Sequence, residues 1–321
     1  MAVRFGVFVP QGRRLDLVEI RDPIEQFEAM TAVARAVDAD PAWDSIWVYD
    51  HFHTVPRPEL ETTFECWTTT ATLARDTSRV NIGQMVGCNG YRNPALYAKI
   101  ASTVDVASHG RLYAGIGAGW HEHEWRAYGY PWTDTRERMA AFREAVQIIH
   151  KMWTEDYPTF SGKHYTIDGP INEPKSATGA KIPLWIGGGG ERVTLKLVAQ
   201  YGDACNLGGE LDTLRHKLDV LKGHCDAVGR DYDEIVRSTG LSAHPIGPND
   251  DPAQATAYAR GETPFEEYAK GTIVGTPEQI REQAQPKIDL GFDYFIMSFP
   301  RVATNQETMI RFAEEVIPLF G

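Results

Sequence analysis

An α/β barrel is the fold this sequence predicts, and three observations predict it. Short apolar runs alternate with amphipathic helical stretches along the chain, eight such pairs occur, and no change of composition interrupts them. Strands alternating with helices form a parallel sheet, and eight parallel strands close into a (β/α)8 barrel, or TIM barrel, with a packed interior. The 321 residues are read as a single domain, 1–321, with insertion segments. A doubly wound open sheet is the competing arrangement, but no Gly-x-Gly-x-x-Gly follows the first strand.

Each element has its own signal. Residues 3–10 (VRFGVFVP) form the first strand, entered directly from Met1 and Ala2, and 23–38 form an amphipathic helix. Residues 45–49 (SIWVY) are the second strand, followed by a helix over 63–76. The third strand spans 80–86, and Pro94 opens its helix, 94–107, at a position that needs no N–H. After the fourth strand, 112–117, the helix 133–153 carries Met139, Phe142, Val146 and Ile149 at helical spacing. Residues 157–169 alternate and turn at Ser161-Gly162, which predicts an excursion hairpin. The repeat resumes with strands at 184–186, 203–207 and 235–242 and helices at 191–201 and 210–228. An irregular stretch, 243–275, holds Pro245, Pro248, Pro252 and Pro264. Thr276-Pro277-Glu278 starts a helix to Leu290, 293–299 is the eighth strand, and a helix over 306–319 closes the chain.

Composition narrows the function. A hydrophobic fraction of 42% with 24% charged residues is ordinary for a globular chain and excludes a disordered or fibrous one. The net charge is −12 and no Lys/Arg run occurs, which argues against nucleic-acid and anionic-membrane partners and for a small-molecule substrate. Cys66, Cys88, Cys205 and Cys225 lie far apart without metal-type spacing and read as reduced, buried thiols. No leader-like or membrane-length apolar segment is evident, so a cytoplasmic location is expected.

In a barrel, chemistry belongs at the C-terminal ends of the strands. The second strand ends in Asp50-His51-Phe52-His53, where a carboxylate beside an imidazole can orient a cofactor ring and move a proton. The fourth runs into Gly115-Ile116-Gly117-Ala118-Gly119, whose missing side chains let a flat ring or a backbone come close. Trp120, His121, Glu122, His123 and Glu124 follow at once. The fifth ends in Gly187-Gly188-Gly189-Gly190-Glu191 before a helix, an arrangement in which backbone N–H groups and the helix dipole hold a phosphate without basic side chains. The third ends in Gln84-Met85-Val86-Gly87-Cys88-Asn89, an irregular backbone of no evident role by residue type alone.

Together these motifs resemble the luciferase-like superfamily, in particular its F420-dependent branch. The matching stretches are SIWVYDHF at 45–52, YRNPALYAKIASTVDVA at 91–107, GRLYAGIGAGWHEHE at 110–124, PLWIGGGG at 183–190, YGDACN at 201–206 and IVGTPEQ at 273–279. The resemblance implies hydride transfer between the deazaflavin coenzyme F420 and a small organic substrate. Asp50 and His51 would then sit at the reactive face, with His51 the proton carrier and Glu122 the alternative. The resemblance further implies a non-proline cis peptide at the bulge around Met85-Val86, which backs the ring, a ring contact from His123, and a phosphate held by Gly188, Gly189, Gly190 and Glu191. Trp120, Tyr91 and the stretch 243–275 would shape the substrate pocket, and relatives imply a homodimer. Trp120 stands where the F420-dependent glucose-6-phosphate dehydrogenases carry a general-acid Glu, which argues against that activity. FMN with oxygen, as in the monooxygenase branch, is the alternative cofactor chemistry. A metal-dependent barrel hydrolase using His51-x-His53 and His121-x-His123 is the alternative of another class, and a barrel that binds flavin without catalysis is a fourth.

Overall fold

A computed structural model describes residues 3–179 and 181–321; Met1 and Ala2, the expected approach to the first strand, lie outside these. The fold is the expected (β/α)8 barrel. Its strands are β1 (Arg4–Phe8), β2 (Ser45–Val48), β3 (Asn81–Gln84), β4 (Leu112–Gly117), β5 (Leu184–Gly187), β6 (Ala204–Asn206), β7 (Val236–Leu241) and β8 (Tyr294–Met297). The helices that follow them are α1 (Pro23–Ala39), α2 (Cys66–Asp76), α3 (Pro94–Ala107), α4 (Thr135–Thr154), α5 (Thr194–Tyr201), α6 (Leu211–Val228), α7 (Pro277–Asp289) and α8 (Glu307–Arg311). Among the described residues no helix is long and apolar enough to cross a membrane.

By contacts the chain forms two compact units. The first comprises residues 3–47, 53–64 and 237–321. Its strands run β2-β1-β8-β7, all parallel, with Gly6 opposite Ser45 and Arg4 opposite Tyr294. Gly6 is required there, because a Cβ would lie 2.3 Å from the Ser45 hydroxyl. Phe5, Trp43, Phe295 and Phe312 are buried against one another, Phe5 stacking on Phe295 at 5.8 Å. The stretch read as irregular holds a short parallel pair, Ala243–Pro245 with Ile273–Gly275, and three short helices. Each of those strands has three residues, too few for a periodic signal. Thr276 opens α7 with a capping box completed by Gln279.

The second unit, 48–52, 65–179 and 181–236, is built around β4. That strand pairs with β3 through Ile82–Leu112 and with β5 through Ala114–Leu184, and β5 continues to β6. Gly115 lets the backbones meet, since a Cβ there would lie 1.7 Å from the Gln84 carbonyl. Arg111 donates to carbonyls of Ala74, Thr77, Val80 and Ser108, tying the loop after α2 to the entry of β4. The hairpin is present as Thr159–Ser161 with Thr166–Asp168. Its tip is held by the buried Glu144 of α4, whose carboxylate accepts the N–H groups of Lys163, His164 and Tyr165.

Candidate functional site

Most residues singled out by the sequence gather in the second unit; His53 and the stretch 243–275 belong to the first. The chain leaving β2 carries Asp50 into the interior, where Arg92 grips both carboxylate oxygens at 2.6 and 3.1 Å and the Cys88 N–H donates at 2.7 Å. Arg92 reaches Glu65 as well, at 2.5 Å. Burial pushes the Asp50 carboxyl above its ordinary value, against the pull of Arg92. Burial also opposes the Arg92 charge, but the Asp50 carboxylate outweighs it and Arg92 stays ionised. With three donors on its two oxygens, Asp50 acts here as an anchor that orders the segment 88–92.

His51 meets a residue that the sequence named in the run 120–124 but gave no role. The short helix Glu122–Ala127 turns Glu124 inward, 0% exposed, where Oε2 meets His51 Nδ1 at 2.8 Å. The same carboxylate accepts the Phe52 N–H at 2.8 Å on Oε1 and the Tyr91 hydroxyl at 2.9 Å on Oε2. Glu122 points the other way and pairs with Arg126 on the surface at 2.7 Å. Residues two apart on a helix lie about 200° around the axis, so only one of the two acids can face in. Tyr91, expected in a substrate pocket, is buried, its ring tilted against Phe52 at 4.5 Å. Phe52 also meets Tyr128 and Tyr130, and Trp125 packs with Cys88 beneath. Burial pushes the Cys88 thiol up to about 12, leaving it an inert core group. Trp120 is 62% exposed with its ring 5.8 Å from that of His51, His121 lies 5.7 Å from His51, and His123 is on the exposed side.

The peptide bond Met85–Val86 is cis, at the position the resemblance implies. The glycines nearby make room for Val86 itself. A Cβ on Gly117 would lie 2.6 Å from one Val86 methyl, and a Cβ on Gly187 2.7 Å from the other. Gly119, at φ +81°, accommodates Cys88 and Trp125. The Gly-x-Gly-x-Gly pattern of β4 therefore seats neighbouring protein atoms, and the ring-sized gap expected there is filled at Gly117 by a side chain.

After β5, Gly188 (φ +110°), Gly189 and Gly190 form a turn, and α5 begins at Thr194, three residues later than expected, because 191–193 stay in the turn. Among the described residues no partner takes the N–H of Gly189, Gly190 or Glu191. A basic side chain is present after all. The Lys217 stem from α6 lies beside Gly189, 3.6 Å from where a Cβ would stand, and its ammonium pairs with Glu191. That hydrogen bond, helped by His216 at 3.1 Å, holds the Glu191 carboxyl below its usual value. Lys217 sits 26 residues on in sequence, so no local motif announces it. Three donors and a cation around small residues fit a phosphate. Among the described residues no group of three or more His, Cys, Asp or Glu side chains is placed to hold a metal ion.

Known proteins are similar along nearly the whole chain. An F420-dependent glucose-6-phosphate dehydrogenase from Kineococcus radiotolerans is 28% identical over 92% of this chain and 94% of its own. One from Nocardia farcinica is 30% identical, covering 86% and 90%. Among solved structures, an F420-dependent secondary alcohol dehydrogenase in complex with an F420-acetone adduct superposes with TM-score 0.77 over 100% of both chains, at 22% identity. The monooxygenase RslO1 from Streptomyces bottropensis gives 0.79 over 99% and 100%, at 18% identity. The sequence profile of the luciferase-like monooxygenases matches residues 3–270, and the chain belongs to that family.

Proposed function

We propose that this chain is an F420-dependent oxidoreductase that moves a hydride between its cofactor and a small organic substrate, with His51 carrying the accompanying proton. The observation that carries the reading is the His51 imidazole, fixed through Nδ1 by the buried Glu124 while Nε2 meets no hydrogen-bonding group among the described residues. An imidazole held on one side and unmatched on the other is built to exchange a proton. The names of the curated relatives support F420 over FMN.

When bound, F420 supplies a ring carbon that gives or takes the hydride. The protein residues do the rest. Gly189, Gly190 and Glu191 would offer N–H groups to the phosphate with Lys217 beside them, and Val86, seated by Gly117 and Gly187, would back the ring. In alcohol oxidation, two electrons leave with the hydride and the hydroxyl proton passes to His51 Nε2; in the reverse direction His51 returns it. Trp120, exposed and with its ring beside that of His51, would cover the substrate. The reading extends to a cytoplasmic homodimer, which sedimentation of the purified chain would test for assembly.

The direct test is turnover. Oxidised F420 with a panel of secondary alcohols, and reduced F420 with a panel of enones and imines, should reveal a substrate through the change in cofactor absorbance. His51→Asn should then lower kcat about 10²-fold or more while leaving F420 affinity nearly unchanged. Oxygen consumption with reduced FMN, and no turnover of F420, would replace this reading by monooxygenase chemistry.

A further inference from the structure

Glu124 is a fully buried carboxylate whose partners include the His51 ring, the Phe52 backbone and the Tyr91 hydroxyl. Two of these have no choice of role. The Phe52 N–H can only donate. The Tyr91 hydroxyl, raised by burial and further by the Glu124 charge, keeps its proton and donates. A carboxylate is acceptor-only when ionised, and an imidazole beside a carboxylic acid is the stronger base of the two.

We propose that Glu124 is the positioning residue of His51: it fixes the neutral imidazole as the Nδ1–H tautomer and so presents Nε2 as the proton-accepting nitrogen. The catalytic consequence rests on the proton-carrier reading of His51, whereas the tautomer is a property of the chain alone. Orientation by a buried carboxylate is worth much in such a site, because the wrong tautomer presents an N–H where a lone pair is needed. An imidazolium formed at His51 in the reaction would have the same carboxylate at 2.8 Å to stabilise it.

Glu124→Gln should reverse the tautomer, and the geometry says why. The Gln carbonyl must face the Phe52 N–H, since an NH₂ group there would set donor against donor. Its NH₂ is then aimed at His51 Nδ1 and Tyr91 Oη, so Nδ1 must accept and the ring proton moves to Nε2. The side chain keeps its shape and its hydrogen bonds, while the proton-accepting site at Nε2 is lost.

The experiment is ¹⁵N NMR of the full chain labelled at its ten histidines, without cofactor, at alkaline pH where imidazole is neutral. His51→Asn identifies the signals of His51 by their disappearance. The wild type should show the one-bond N–H coupling of His51 on Nδ1, and Glu124→Gln should show it on Nε2, with kcat on any F420 substrate falling about 10²–10⁴-fold and F420 affinity within about threefold of wild type. An Nε2–H tautomer in the wild type overturns the proposal and needs no variant to fold. An unchanged Nδ1–H tautomer in a folded Glu124→Gln protein overturns it too. If the tautomer behaves as stated but His51→Asn keeps full turnover, the positioning stands and the proton-carrier reading of His51 falls.

Discussion

Asp50 and Arg92 form a buried ion pair, and removing one member leaves the other charged and uncompensated. Asp50→Asn should destabilise the fold by about 3 kcal/mol, read by thermal unfolding, because the Arg92 guanidinium keeps only the half-exposed Glu65 as an anion. Two glycine replacements separate packing from tolerance. Gly187→Ala drives a methyl to within 2.7 Å of Val86, and overpacking of that kind costs about 1–3 kcal/mol and should weaken F420 binding at least about tenfold. Gly189→Ala meets only the flexible Lys217 stem at 3.6 Å, so its melting temperature should stay near wild type. If both variants melt like the wild type, Val86 is not seated as described. At this scale the sequence was legible where residue type alone decides. Asp50, His51 and the glycine run could be picked out because their neighbours in sequence define them. Glu124 could not be told from Glu122, since the choice between them depends on the register of a six-residue helix too short to show a period. Lys217 was hidden for a different reason, its partner Glu191 lying on another element.

The hairpin and α7 are the elements whose anchors can be tested singly. Glu144 accepts three backbone N–H groups from the hairpin tip, and although burial opposes its charge, those bonds hold its carboxyl below the ordinary value of 4.5. A group with a lowered folded pKa contributes stability that is present above its unfolded value and lost as pH falls through the folded one. The tip should therefore loosen below about pH 4.5, visible as faster amide exchange at Lys163, His164 and Tyr165. Glu144→Gln should produce the same acceleration at neutral pH, about 1–3 kcal/mol of lost protection; unchanged exchange would mean the tip is held by other contacts. Thr276→Ala, which removes the capping box of α7, should cost about 1 kcal/mol in global stability. Element positions were legible because hydrophobic period and proline placement are local properties: Pro94–Ala107 and Leu112–Gly117 fall at the expected residues. The misses lie at element ends. The start of α5 slipped to Thr194 because Glu191, in the turn at 191–193, is held by Lys217, His216 and His224 from α6, and the strand after Asn81 ends at Gln84, with Gly87 and Cys88 pairing separately with the end of β4.

For the whole molecule, charge is the property with a measurable consequence. The chain carries −12, while a phosphate-bearing cofactor is itself anionic. Long-range repulsion should slow their encounter at low ionic strength, so the F420 association rate should rise as salt increases from about 0.01 to 0.15 M. A falling rate would point to local cations dominating. Such cations exist: in the first unit Arg14, Lys270 and Lys287 line a cleft of about 360 Å³, although no basic run appears in the sequence. The fold class was legible in full at this scale, since eight alternating pairs leave few topologies open. Clusters assembled from distant residues were not.

Whether this barrel holds F420 is read from titration of the metal-free purified chain with F420 and separately with FMN while its eight tryptophans are followed. Quenching by F420 with micromolar or tighter affinity, weaker binding of FMN, and loss of F420 affinity in Gly187→Ala are expected. Preference for FMN, or binding of neither, would overturn the F420 assignment.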